Sequence, residues 1–164
     1  MNPHFRIIPL DKDFLNRIRE RGHDDFGNPL VPTANADEGG TPLRCCLREA
    51  GVGERVALIA YQPASIGGPY AEVGPVFIHA DECSGYDPHD VYPEEFRHRT
   101  QILRAYDRKG CQLDNQIVDG VEVEARISEL LARVDVAFIH SRNVLAGCYM
   151  FGIVRSGVDA QAGA

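Results

Sequence analysis

The chain has no excess of positive charge, no apolar run long enough to cross a bilayer and no short paired spacing of cysteines. With 17 Lys and Arg against 24 Asp and Glu, its formal charge of −7 works against nucleic acid or an anionic membrane as partner, since both are held by cations that neutralise phosphates. The opening residues, Met1 to Arg6, lack a basic segment followed by an apolar core, so no secretory leader is read there. Five cysteines fall at 45, 46, 83, 111 and 148 without Cys-x2-Cys pairs, which argues against a disulfide framework and an ordinary structural zinc motif. They are read as reduced thiols in a cytoplasmic protein, with no metal and no cofactor expected. Phosphate-loop, dinucleotide, HExxH and GxSxG patterns are also missing, which removes the most easily named enzyme classes.

What is present is an ordinary globular composition, 44% apolar and 25% charged over 164 residues, enough to bury a core without staples. Phe5 to Leu10 reads as a strand. Phe14, Leu15 and Ile18 share a helical face that Gly22 ends. Residues 23–42 carry six Gly and Pro among polar residues and read as a long loop, a candidate lid. Leu43 to Leu47 and Arg55 to Tyr61 read as mid-sheet strands joined at Gly51-Val52-Gly53, and Val76 to His79 as another strand. Pro93 to Phe96 suits a short helical turn. Thr100 to Tyr106 and Cys111 to Val118 read as a hairpin about Asp107-Arg108-Lys109-Gly110.

The clearest helix has capping-box character at Asp119 to Glu122 and an apolar stripe of Val123, Ile127, Leu130, Leu131 and Val134. Val136 to His140 and Gly147 to Arg155 then close the fold as strands around a turn. The expectation is an α+β class: a single domain over 1–156 with a largely antiparallel sheet, an N-terminal helix and a helix before the last two strands. Residues 157–164 read as a loose tail.

Two strands end in the same tripeptide, Phe77-Ile78-His79 and Phe138-Ile139-His140, with Phe and His on one face by alternation. A histidine at a strand end serves as general acid or base, metal ligand or proton-sensitive switch, or is simply bonded to a backbone carbonyl. Alternation along a strand sets Cys46 between Arg44 and Arg48, where positive charge favours a thiolate, and turns Cys45 to the apolar face with Leu43 and Leu47. Cys83 lies four residues after His79 and Cys148 eight after His140, so a mixed His/Cys metal site is conceivable.

Pro42-Leu43-Arg44-Cys45-Cys46-Leu47-Arg48-Glu49-Ala50 with Gly53-Glu54, Gly68-Pro69-Tyr70 leading to Gly74-Pro75-Val76-Phe77, Leu103-Arg104-Ala105-Tyr106-Asp107, and His140-Ser141-Arg142-Asn143 with Gly147-Cys148-Tyr149 together resemble the bacterial family known as domain of unknown function 1203. The resemblance spans Pro42 to Arg155 and implies a small cytosolic bacterial protein, but carries no activity with it. It weights His140 above His79.

The leading expectation is an enzyme-like pocket for a small polar or anionic metabolite, working without a nucleotide cofactor. His140, Tyr106 and Cys148 are its candidate catalytic residues, and Arg44, Arg142, Asn143 and Tyr70 its candidate binding residues. The competing expectations are a non-catalytic, homodimeric interaction module and a metal site built from His79, His140 and a cysteine or carboxylate.

Overall fold

The computed structural model describes residues 5–158. The elements run β1 (Phe5–Ile8), α1 (Lys12–Arg21), β2 (Thr33–Ala34), β3 (Pro42–Leu43), β4 (Arg48–Glu49), β5 (Arg55–Tyr61), β6 (Gly74–His79), β7 (Gln101–Tyr106), β8 (Gln112–Val118), α2 (Val123–Ala132), β9 (Phe138–Asn143) and β10 (Tyr149–Arg155). They build two five-stranded sheets, ordered β1-β10-β9-β7-β8 and β2-β5-β6-β3-β4. Every pairing between them is antiparallel except β3 with β6, so the class is α+β, as its sequence predicts.

Local chemistry explains the helices. Asp11 caps α1 by accepting from the Phe14 amide at 2.7 Å, and Gly22 closes it in the left-handed region at φ 75°. Leu15 and Ile18 then bury against the second sheet with Val56, Ile59 and Val76. In α2, Val123, Ile127, Leu130 and Leu131 are buried over the first sheet, together with Leu103, Ala105 and Ile139. The expected capping box is not made: Glu122 takes the N-cap position without a side-chain bond. Val134 is fully exposed because the helix ends before it. Gly120, just before α2, is required sterically, since a Cβ there would sit 1.9 Å from the Arg97 carbonyl oxygen.

The hairpin of β7 and β8 turns on Asp107, whose Oδ1 accepts from the Lys109 and Cys111 amides. The segment 43–47 departs from its expected strand. Pro42 pairs with Glu49 and Leu43 with Arg48, so residues 44–47 form a tight loop, with buried Leu47 at φ 54°. β4 takes the sheet edge, and β5 pairs with β2 and β6.

Residues 23–42 are anchored to the second sheet. The buried Asp24 carboxylate accepts from the Phe26 and Asn28 amides and from the Ala60 amide of β5. Asn35 donates to the Ala50 and Gly51 carbonyls. Of the expected C-terminal tail, 159–164 lie outside the described residues. Among the described residues no helix is long and apolar enough to cross a membrane.

Candidate metal centre and arginine cleft

The tight loop between β3 and β4 decides where its side chains go. Had 43–47 been a strand, Cys45 and Cys46 would face opposite ways. In the loop they turn together toward the end of β6, with their sulfurs 3.9 Å apart. A non-glycine residue at positive φ is uncommon and costs on the order of 1 kcal/mol, so the strained Leu47 conformation is part of how the loop is held.

His79, the last residue of β6, presents Nδ1 to both sulfurs, at 3.4 Å from Cys45 and 3.7 Å from Cys46. Cys83 arrives from the following loop and completes a set of four donor atoms, all within 4.8 Å of one another. A tetrahedral zinc ion with Zn–S of about 2.3 Å and Zn–N of about 2.0 Å needs donors separated by roughly 3.5–3.8 Å. The Cys45, Cys46 and His79 edges, at 3.9, 3.4 and 3.7 Å, lie close to that length.

The surroundings orient the donors. On the far side of the imidazole, Nε2 lies 3.5 Å from Glu54 Oε1 and 3.2 Å from Arg48 Nη2. Glu54 is itself fixed by two bonds from Arg48, at 2.8 and 2.6 Å, and one from the Gly51 amide at 2.6 Å. Carboxylate, imidazole and donor cluster thus stand in series, the arrangement that sets the tautomer and basicity of a ligating histidine. The His79 amide donates to Cys45 Sγ at 3.4 Å, and the Gly85 amide bonds the Cys83 sulfur. Arg19 of α1 ties the His79 carbonyl with two bonds, at 3.3 and 3.0 Å.

The electrostatics favour one early ionisation. Hydrogen bonding from Cys46, then from Cys83 and His79, holds the Cys45 thiol far below the usual thiol range, although burial opposes this. Donation to that thiolate pushes Cys46 and Cys83 up and raises the His79 imidazole. The bonds from Arg48 and Gly51 hold Glu54 down at about 2. A cavity of about 560 Å3 opens beside the cluster, with Cys45 and Cys83 on its wall.

The candidate residues read from sequence lie elsewhere. His140 is fully buried, with Nε2 3.1 Å from Ser65 Oγ and its ring packed against Tyr106, Phe138 and Tyr149. Tyr106 stacks on Phe138 at 5.2 Å. His79 and His140 stand in different sheets and share none of these partners.

Arg44, 1% exposed, runs inward from the hairpin loop. It donates to the Tyr149 carbonyl at 2.8 Å, to the Pro42 carbonyl and to Cys148 Sγ at 3.0 Å. Arg142 bonds the Gly147 carbonyl at 3.0 Å and pairs with Glu72 at 2.6 Å. Arg142 and Cys148 line a second cleft, of about 400 Å3, that also takes in Glu72, Arg104 and Tyr149. Asn143 Oδ1 holds the turn before β10 by accepting from the Leu145 and Ala146 amides. Tyr70 is exposed and lines neither cavity.

The sequence suggests a mixed site from the spacing of His79 and Cys83 but sets Cys45 and Cys46 on opposite strand faces, and the convergence of all four is not read from it. The readable signal was His79-x3-Cys83 together with an adjacent cysteine pair. Glu54 carried no signal of its own.

Fold and site together define an α+β protein of two sheets with three thiols and an imidazole gathered at one corner. The chain belongs to the family described as Protein of unknown function (DUF1203), whose model matches residues 40–155 and so contains all four donors and both arginines of the cleft. No curated protein and no solved structure matches the chain.

Proposed function

We propose that this is a metal-binding protein whose Cys45, Cys46, His79 and Cys83 hold one zinc ion in a tetrahedral Cys3His centre. The observation that carries this reading is the set of four donor atoms within 4.8 Å of one another, drawn from three separate segments of the chain. Three thiolates and an imidazole suit zinc among the divalent ions abundant in cells, because soft sulfur donors select it over magnesium, calcium and manganese. Four protein donors fill the coordination shell, so the ion's work is structural. It ties the β3–β4 loop to the end of β6 and to the loop from 80 onward.

The donors act as thiolates and a neutral imidazole. Binding therefore releases protons, and with Nδ1 on the metal the proton stays on Nε2, for which Glu54 Oε1 is the neighbouring acceptor once the Arg48 N–H turns away from the ring. The cavity beside Cys45 and Cys83 supplies an entry path. Reduced thiols require a reducing compartment, which agrees with a cytoplasmic protein.

Elemental analysis of protein purified without chelators tests the reading. The expected result is close to one zinc per chain, lost in Cys83→Ser and in His79→Ala. Full-length, folded protein that takes up no stoichiometric metal when zinc is supplied under reducing conditions would refute it. So would unchanged zinc content in both variants.

A further inference from the structure

The second cleft lies where β9 and β10 meet the loop leading into β6, and its chemistry is that of an oxyanion site. Register places Arg142 opposite Ile102 and His140 opposite Arg104, so Arg104 and Arg142 stand diagonally on one face of neighbouring strands. That face is opposite the one that Leu103, Ala105 and Ile139 turn toward α2. Arg44 reaches the same place from the other sheet through Cys148 Sγ.

Two guanidinium groups, Arg104 and Arg142, therefore line the cleft, with Arg44 bonded behind its Cys148 wall, against one carboxylate, in a chain whose overall charge is −7. The carboxylate is Glu72, which both Arg104 (3.0 and 3.2 Å) and Arg142 (2.6 Å) address at once. The pairing is uneven. Arg142's side chain is 6% exposed, whereas Glu72's is 47% exposed and comes from an irregular segment between Tyr70 and Gly74. A buried cation held by a solvent-facing carboxylate is weakly committed to it, because water screens one partner and supports its departure.

Two further buried donors on the cleft wall, Arg142 Nε and the Tyr149 hydroxyl, have no partner among the described residues. Buried donors are rarely left unsatisfied, and an orphan pair beside an arginine fork is what an oxyanion with several lone pairs satisfies.

We infer that this cleft binds a small carboxylate- or phosphate-bearing molecule, which takes the place of the Glu72 carboxylate between Arg142 and Arg104. Glu72 is a built-in competitor: it keeps the arginines paired while the cleft waits and swings outward when the ligand enters. The inference stands apart from the metal centre, since none of the four metal donors lines this cleft.

Isothermal titration of the purified chain with inorganic phosphate and, separately, with acetate, at constant ionic strength, tests this. Removing the competing charge while keeping the side chain's shape, in Glu72→Gln, is expected to tighten binding of at least one of the two anions by tenfold or more. Adding Arg104→Gln to that variant is expected to reverse the gain. Both substitutions fall outside the apolar core, so the fold is kept and a melting curve checks it. The anion bound more tightly identifies the ligand's acidic group as phosphate or carboxylate. An affinity in Glu72→Gln no higher than in the unaltered chain, or one indifferent to Arg104→Gln, would overturn the inference.

Discussion

The two Phe-Ile-His segments have the same side chains in the same order, but the first closes β6 whereas the second opens β9 instead of ending it as expected, and the fold gives them opposite surroundings. His79 closes β6 beside two sulfurs, with a carboxylate and an arginine behind it. His140 lies within β9, fully buried in a box of three aromatic rings, its Nε2 on a serine hydroxyl. The tripeptide is the part that packs. What the imidazole meets is decided by other segments of the chain: the 44–47 loop and Cys83 for His79, and Ser65 and Tyr149 for His140. A tripeptide shared by two strands is therefore evidence of an apolar strand segment and not of similar chemistry.

Substitution separates the two histidines, and the largest effect falls on metal affinity. His79→Ala removes one of four donors and is expected to weaken zinc binding more than a thousandfold, about 4 kcal/mol, as read by competition with a chromophoric chelator. His140→Ala leaves metal content unchanged and costs about 3 kcal/mol of stability, the scale of deleting a buried ring, as read by denaturant unfolding. If His140→Ala released the metal while His79→Ala kept it, the contrast between the two histidines would be inverted.

The orienting carboxylate gives a smaller effect. Glu54→Gln keeps the shape and removes the charge behind His79, so metal affinity is expected to fall by about 10–100-fold while the unfolding midpoint of metal-free protein changes little. A loss of the whole fold in Glu54→Gln would make the Arg48–Glu54 pair a structural tie and not a support for the histidine. The smallest effect belongs to a thiol outside the cluster. Cys111 is exposed, and Cys111→Ser is expected to leave metal content unaltered and stability within about 0.5 kcal/mol.

Much of the fold was legible because its local signals agree with its packing. Asp11 and Gly22 bracket α1, Asp107 turns the β7–β8 hairpin, and the stripe from Val123 to Leu131 seats α2. The donor cluster was not legible, and the reason lies in four residues. The loop 44–47 contains no Gly, Pro, Asn or Asp, so nothing in it announces a turn, and Leu47 takes a left-handed conformation that its residue type disfavours. Alternation along an assumed strand then separated Cys45 from Cys46, when the real turn brings them together. The arginine cleft was half legible. Arg142 and Cys148, both candidates from sequence, line it and Arg44 bonds Cys148 from behind, but Glu72 as the counter-charge of Arg142 depends on how the loop before β6 crosses the first sheet, which no local pattern encodes.

The proposed Cys3His metal centre sits where the β3–β4 loop meets the end of β6. X-ray absorption at the zinc edge on protein purified under reducing conditions tests it most directly. The expected spectrum is that of a four-coordinate first shell of three sulfurs at about 2.3 Å and one nitrogen at about 2.0 Å. A shell dominated by oxygen, or by fewer than two sulfurs, would contradict it.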